Sequence, residues 1–410
     1  MLYIARAVIR RLPGIVIGAV PLPEAEIVSG LGARDQAGLL CRKNGFDRVL
    51  LVTDKTIASL GLHEKVEASL SAQGIACAIF SDISSEPNLS IIDGGRKALA
   101  GCGADAIIAL GGGAVLDSCK IIAAGGRLKG RKSGSLLRKF LFVRKKTLPV
   151  IAVPTTAGTG AEITVGAVIT GRNGRKCSTV VVGLDVRSVI LDSELTLKMP
   201  KGVTCACAID ALSHGLEGVV ASVRTPEEDL RKSMECVKLV LENLPVLIRE
   251  PENVTARQNM CLAALYGGNA INKQLAGYVH AFAHSIGAKY HIPHGNAIAL
   301  SLLPVMDLQK DKCLEKLAAL SRYCGLAVPS DSDAAAGGTL LEALRRLIGL
   351  CAFDKCPPIP KEDYPDLTRA VSLDSINYSA PVVLTNRQIQ AALDEINCYS
   401  CVADDAMLQS

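Results

Sequence analysis

Tryptophan is absent from this chain of 410 residues, and aromatic residues make up only 3% of it. Proteins that hold single-stranded nucleic acid stack the bases on aromatic platforms, so this composition argues against a nucleic-acid partner. No stretch reaches the roughly 18 uncharged apolar residues that a membrane-spanning helix needs, and no membrane partner is expected. Cysteine is present but unpatterned: fifteen, an odd number, run from Cys41 to Cys401 without regular spacing. That argues against a secreted disulfide scaffold and for reduced thiols in a cytoplasmic protein. The single CxxC, Cys398 to Cys401, has no second pair and no nearby histidine to complete a tetrahedral site. Histidine is scarce too, at six. No HExxH occurs, which speaks against a metallohydrolase.

The length allows two domains, because a single core stops growing near roughly 250–300 residues. The first 20 residues faintly imitate a signal peptide, but Pro13 and Gly14 interrupt the apolar run and no small-residue cleavage site follows. An opening β-hairpin is expected there. The net charge of +5 is uneven: residues 127–146 (RLKGRKSGSLLRKFLFVRKK) carry nine Lys or Arg and no acid, which leaves the rest at −4. A solvated basic loop is the preferred reading of that insert.

Short apolar runs alternate with helical patterns in the first half: 46–54 as strand, 55–72 as helix, 74–81 as strand, 89–100 as helix, 105–110 as strand, then a helix from about Ala114 and a strand at 148–153. Alternation of this kind predicts a parallel sheet covered by helices. Residues 162–182, with Gly171, Asn173 and Gly174 between β-branched runs, predict a hairpin insert. Beyond about residue 200, Ala- and Leu-rich stretches keep helical spacing at 206–222, 226–246, 255–287, 314–324 and 338–350. The expected organisation is an α/β dinucleotide-binding domain at 1–199 and an all-α metal-binding catalytic domain at 200–410.

Four of the six histidines, His280, His284, His291 and His294, fall in one short segment. His280 and His284 are four apart and share a helix face, and Asp210 and His214 repeat that spacing seventy residues earlier. Two helices that each present such a pair can close on one ion. A buried carboxylate such as Asp210 needs a partner in any case. One carboxylate with three imidazoles suits Fe²⁺, Zn²⁺, Co²⁺ or Ni²⁺. Four protein ligands on one ion leave an open position only at five- or six-coordination, which favours Fe²⁺ over Zn²⁺.

The segment DAIIALGGGAVLDSCK runs from strand through three glycines into a helix that carries Asp117 and Lys120 one turn apart. Glycines there allow close approach of a phosphate to the helix N-terminus. VPTTAGTGAEIT follows a second strand and sets Thr155, Thr156 and Thr159 where a sheet's carboxyl edge meets its ligand. Asp54 ends the first of these strands and can accept from a ribose 2′-hydroxyl while repelling a 2′-phosphate, so NAD is expected over NADP.

Taken together and in this order, GGGAVLDSCK, PTTAGTGAEIT, DALSHGLEG and GYVHAFAHSIGAKYHIPHG resemble the iron-containing (group III) alcohol dehydrogenases, over about residues 20–395. The resemblance implies the dehydroquinate synthase-like fold of an α/β half and a helical half, a cleft between them as active site, and a homodimer or higher homo-oligomer. It implies Asp210, His214, His280 and His294 as metal ligands, with His284 beside the metal as a proton-relay group. It assigns Asp54 to the adenosine ribose, Gly112, Gly113 and Asp117 to the phosphate-side loop, and Thr155, Thr156 and Lys176 to the rest of the dinucleotide. The chain departs from the family at Ala114, where a serine is usual; the backbone donor survives and a hydroxyl is lost.

The expected chemistry is hydride transfer between NAD and a small alcohol or aldehyde, with the metal as Lewis acid. Two alternatives stand beside it: a polyol dehydrogenase or dehydroquinate synthase-like lyase on the same scaffold, and a non-catalytic nucleotide- or metal-binding protein.

Overall fold

In the computed structural model, the described residues are 22–128, 130–137, 140–144, 146–171, 176–353 and 357–402, without the side chains of 377 and 399–402. The expected N-terminal hairpin and the side chain of Cys401 lie outside them. Among the described residues the chain divides into two compact units. One comprises the residues up to Met199 together with Glu252–Gly268; the other comprises Pro200–Pro251 and the residues from Asn269 on.

The first unit is built on a six-stranded sheet. Its strands are β1 (Glu26–Ser29), β2 (Arg48–Asp54), β3 (Ala76–Ile83), β4 (Ala106–Gly111), β6 (Val150–Pro154) and β9 (Val186–Leu191), in the order β1-β9-β6-β4-β2-β3. Every pairing in it is parallel. β4 and β6 are buried at every position and β2 from Val49 to Thr53, as strands covered on both faces must be; that is why they read as unbroken apolar runs. From β2 the chain steps outward to β3 and then returns to the other side of β2 to form β4. Strand order therefore reverses between β2 and β4, whose carboxyl ends carry Asp54 and the glycine loop; ligands of open α/β sheets bind outside such a reversal.

β5 (Phe140–Phe142), β7 (Gly166–Thr170) and β8 (Lys176–Val182) form a separate three-stranded sheet. β7 and β8 are antiparallel, which is the hairpin expected from 162–182. β5 corrects the reading of 127–146 as a loop: its Phe-Leu-Phe run has the apolar, aromatic character of a strand and pairs in parallel with β8. Composition alone directed attention to the charges around it.

Sequence periodicity placed 252–268 with the helical half, whereas this stretch groups with the sheet. A Cβ on Gly160, whose φ is +62°, would lie 2.4 Å from the Cα of Gly268, so only glycine permits that backbone contact. The Gln258 side chain adds hydrogen bonds to Ser29 Oγ at 2.8 Å and to the Leu191 carbonyl at 3.0 Å.

The second unit is helical: Lys201–Val220, Glu227–Arg249, Tyr278–Tyr290, His294–Gln309, Leu314–Tyr323, Asp333–Cys351, Tyr364–Asp374 and Asn386–Val402. Helix 201–220 is long and apolar enough to cross a membrane, but 83% of its apolar window is buried inside the protein and it carries Asp210, His214 and Glu217. It is a core helix, packed on 227–249 and 294–309. The expected continuous helix 255–287 is two helices, because Leu275 takes a left-handed conformation at φ 64° and the second helix starts afresh at Tyr278.

In the sheet unit Glu162 is 3% exposed, and its Oε1 has no hydrogen-bond partner. Burial pushes its carboxyl up to about 7, against the opposing pull of a backbone hydrogen bond and of Lys120. A folded pKa above the unfolded value means that the fold takes up a proton between about pH 4.5 and 7, so stability falls as pH rises through that window. We expect the unfolding free energy of Glu162→Gln from urea titration to match wild type at pH 5 and to exceed it at pH 8 by roughly 2–3 kcal/mol. An identical difference at both pH values would contradict the account.

Candidate metal centre

Three helices of the second unit deliver a cluster of titratable side chains. Asp210, His214 and Glu217 lie at i, i+4 and i+7 of helix 201–220, and so on one face. Helix 278–290 presents His280 and His284, and His294 is the first residue of helix 294–309. Oδ1 of Asp210 is the hub: it lies 3.5 Å from His214 Nε2, 3.7 Å from His280 Nε2 and 3.3 Å from His294 Nε2. The Asp210, His280 and His294 ligand atoms all fall within 4.8 Å of one another. Donors bound to a common first-row ion at about 2.1 Å stand roughly 3.0–3.4 Å apart, so these three side chains would draw in slightly to hold an ion, and His214, which approaches Asp210 alone at 3.5 Å, stands outside the group of three.

Asp210 is 4% exposed, His280 4% and His214 6%, and Asp210 Oδ1, His280 Nε2 and His214 Nδ1 have no hydrogen-bond partner. Burial opposes the charge on Asp210, yet His214, His294 and His280 together hold its carboxyl well below the usual range. Burial drives His214 down to about 4, with Asp210 resisting. For His280, burial is outweighed by Glu217 and Asp210, which push its imidazolium up to about 10. Two buried carboxylates thus face one imidazole that strongly retains a proton. A divalent cation would supply that positive charge in place of the His280 proton, and one carboxylate with imidazoles made neutral in this way is a donor set that suits it.

Glu217 holds the frame. Its Oε2 lies 2.6 Å from His280 Nδ1 and its Oε1 accepts from the Val279 N–H at 2.7 Å. This fixes the His280 ring and turns Nε2 toward Asp210, the support that ligating imidazoles require. A Cβ on Gly277 would stand 2.5 Å from Glu217 Oε1, so glycine at 277 makes room for the carboxylate. The break between helices 254–274 and 278–290 therefore serves the cluster.

His284 lies beside this group, with its ring centroid 5.9 Å from His280 and 5.4 Å from His294. Its side chain is 47% exposed, and Nδ1 is 2.9 Å from Asp374 Oδ2. The Tyr378 hydroxyl donates to the same carboxylate oxygen at 3.1 Å. Burial and Asp374 raise its phenol well above the ordinary range, so it stays a donor. His291 closes helix 278–290 in a left-handed conformation at φ 56°, a capping role that sequence reading had left open.

In the sheet unit the glycine and threonine loops meet. A Cβ on Gly112 would come within 3.4 Å of the Thr156 side chain, and one on Gly113 within 3.0 Å of Thr159. The Thr155 N–H donates to the Gly111 carbonyl at 3.1 Å, which ties the two loops. Helix Gly113–Arg127 has no side-chain cap; the Val115 and Leu116 N–H groups donate to the Gly112 carbonyl, which leaves those of Gly113 and Ala114 available to an anion. Such a bare, glycine-lined cradle fits a pyrophosphate. Asp54 Oδ1 caps helix Lys55–Ser59 by accepting from the Ile57 N–H at 2.9 Å. Asp117 is placed differently from expectation: its oxygens bind Lys120 Nζ and the Val168 N–H, both at 2.9 Å, so it buttresses the loop from within. Lys176 starts β8 and its Nζ is 3.5 Å from Glu86 Oε1.

Sequence reasoning considered Glu217 only as a metallohydrolase group, set aside for want of an HExxH, and missed Asp374 and Tyr378 altogether. Glu217 was findable, three residues after His214 on the same face. Asp374 and Tyr378 come from a helix end ninety residues from His284, and no spacing rule connects them.

Residues 23–193 match the family described as iron-containing alcohol dehydrogenase, and residues 204–396 match that family's C-terminal domain. The chain is 31% identical over 377 residues to an NAD-dependent methanol dehydrogenase from Bacillus methanolicus, covering 90% of this chain and 97% of that one. Among solved structures it superposes on a 1,3-propanediol oxidoreductase with TM-score 0.84 at 27% identity, covering 92% and 99% of the two chains. A sulfoacetaldehyde reductase from Bifidobacterium kashiwanohense, solved in complex with NAD+, gives TM-score 0.83 at 26% identity over 94% and 99%.

If Glu217 fixes the His280 ring, Glu217→Gln weakens retention of a divalent ion about 10–100-fold in competition with a chelator, at unchanged helix content. Unchanged metal affinity would remove Glu217 from this role.

Proposed function

This chain belongs to the iron-containing alcohol dehydrogenase family and is a metal-dependent alcohol dehydrogenase; on that premise we propose that Asp210, His214, His280 and His294 hold its ion, Fe²⁺ ahead of Zn²⁺, and that NAD carries the hydride. The observation that carries the ligand assignment is Asp210 Oδ1, buried, without a hydrogen-bond partner and within 3.7 Å of three imidazole nitrogens. Asp210, His214, His280 and His294 would hold the ion, which would supply Lewis acidity to the alcohol or aldehyde oxygen.

The chain's own residues do the rest. Glu217 orients His280, and the low basicity that burial imposes on His214 keeps that ring neutral and free to ligate. The half-exposed His284, next to the buried rings, takes the proton released on alcohol oxidation and passes it to solvent. Gly112, Gly113 and Ala114 offer backbone donors to the pyrophosphate, flanked by Thr155, Thr156 and Thr159. Asp54 accepts from the adenosine ribose, and its charge disfavours a 2′-phosphate. The NAD dependence of the Bacillus relative supports this choice of dinucleotide, and the three relatives' names support a small alcohol or aldehyde as substrate.

The test is one set of assays on anaerobically purified protein with short primary alcohols and diols. Chelation should abolish NAD reduction and added Fe²⁺ should restore it. Asp54→Gly should raise kcat/KM with NADP relative to NAD by about tenfold, the order of one lost charge contact. Turnover indifferent to chelation, or a wild-type preference for NADP, contradicts the proposal.

A further inference from the structure

Asp374 is the last residue of helix Tyr364–Asp374, where the helix dipole is negative and a carboxylate is disfavoured. It nevertheless gathers two partners: His284 Nδ1 at 2.9 Å and the Tyr378 hydroxyl at 3.1 Å, both on Oδ2. The hydroxyl oxygen is also 3.4 Å from Nδ1, so the three side chains close a small triangle. Asp374 and Tyr378 approach none of the four proposed ligands within hydrogen-bonding distance; the residue they hold is His284.

We propose that Asp374 and Tyr378 are positioning residues for His284, fixing its ring and the nitrogen that carries its proton. A carboxylate accepts and cannot donate, so Nδ1 must bear hydrogen when it faces Asp374. The tyrosine has one proton, and giving it to Oδ2 leaves its oxygen facing Nδ1 as a second acceptor. Neutral His284 is therefore the Nδ1–H tautomer, and Nε2 keeps the lone pair. That lone pair takes the proton of the substrate hydroxyl as the carbinol hydride leaves for the dinucleotide; the imidazolium then gives one proton to solvent and returns to its starting form. Without Asp374 the ring is free to rotate and to place its hydrogen on Nε2, where no proton can be accepted. The inference rests on the relay role proposed for His284, and its test separates the two.

Protein labelled with 15N-histidine and loaded with diamagnetic Zn²⁺ carries only six histidines to resolve. Its 15N shifts report the protonated nitrogen of His284 directly. Wild type should show hydrogen on Nδ1. Asp374→Asn should abolish that preference and lower kcat at least tenfold, with alcohol KM, dinucleotide affinity and metal content within twofold. Asp374→Glu should recover part of kcat, and Tyr378→Phe, which spares the Asp374–His284 bond, should lower it two- to fivefold. If Asp374→Asn is poorly folded by thermal melt, Tyr378→Phe and Asp374→Glu carry the test: a wild-type kcat in both overturns the proposal. An unchanged His284 tautomer in folded Asp374→Asn also overturns it. If the tautomer changes but His284→Ala keeps wild-type kcat, the relay reading of His284 fails while the positioning of its ring stands.

Discussion

A carboxylate 4% exposed in the middle of a helical unit needs positive charge beside it, and among the described residues the ion-pairing groups near Asp210 are imidazoles. Leaving such a charge uncompensated in an apolar core costs several kcal/mol at least. The surrounding architecture is arranged to deliver that compensation. Helix 201–220 aligns Asp210 with His214 and Glu217, the chain breaks at Leu275 so that a new helix can bring in His280, and Pro293 starts another helix at His294. Gly277 leaves room for Glu217 to reach across to that new helix. The cluster is a constraint on the backbone as much as on the side chains.

The sheet unit obeys a different constraint. A reversal of strand order between β2 and β4 leaves an opening at their carboxyl ends, and the sequence puts small residues there, Gly111 to Gly113, where side chains would block a ligand. Thr156 and Thr159 lie over the same glycines. Lys120, buried and bonded to Asp117, Thr164 and the Gly166 carbonyl, pins helix 113–127 to β7 and keeps that loop in place.

Much of this was legible in the sequence because its signals are local. Fully buried parallel strands read as apolar runs, i, i+4 spacing reads as a helix face, and four histidines in a histidine-poor chain stand out. The turn after a strand that exposes backbone to phosphate needs glycine, so GGG was visible too. What escaped depended on distant partners. Periodicity cannot tell a continuous helix 255–287 from two helices broken at Leu275, because the break is set by tertiary packing. β1, only four residues long, was passed over, and so was β9, although at six residues it is as long as β4. Asp117 looked like a phosphate-side residue because it follows the glycine loop by one turn, yet Lys120 and the Val168 N–H take its oxygens. His284 was read as a helix partner of His280, but its ring is held by Asp374 from elsewhere in the chain.

The central claim is that one carboxylate and three imidazoles, and none of the fifteen cysteines, hold the ion. X-ray absorption fine structure of the iron-reconstituted protein measures this directly. The account predicts a shell of nitrogen and oxygen at about 2.0–2.2 Å with the outer scattering of three imidazoles, falling to two in His294→Ala. Sulfur at about 2.3 Å, or a spectrum unchanged by loss of His294, would contradict it.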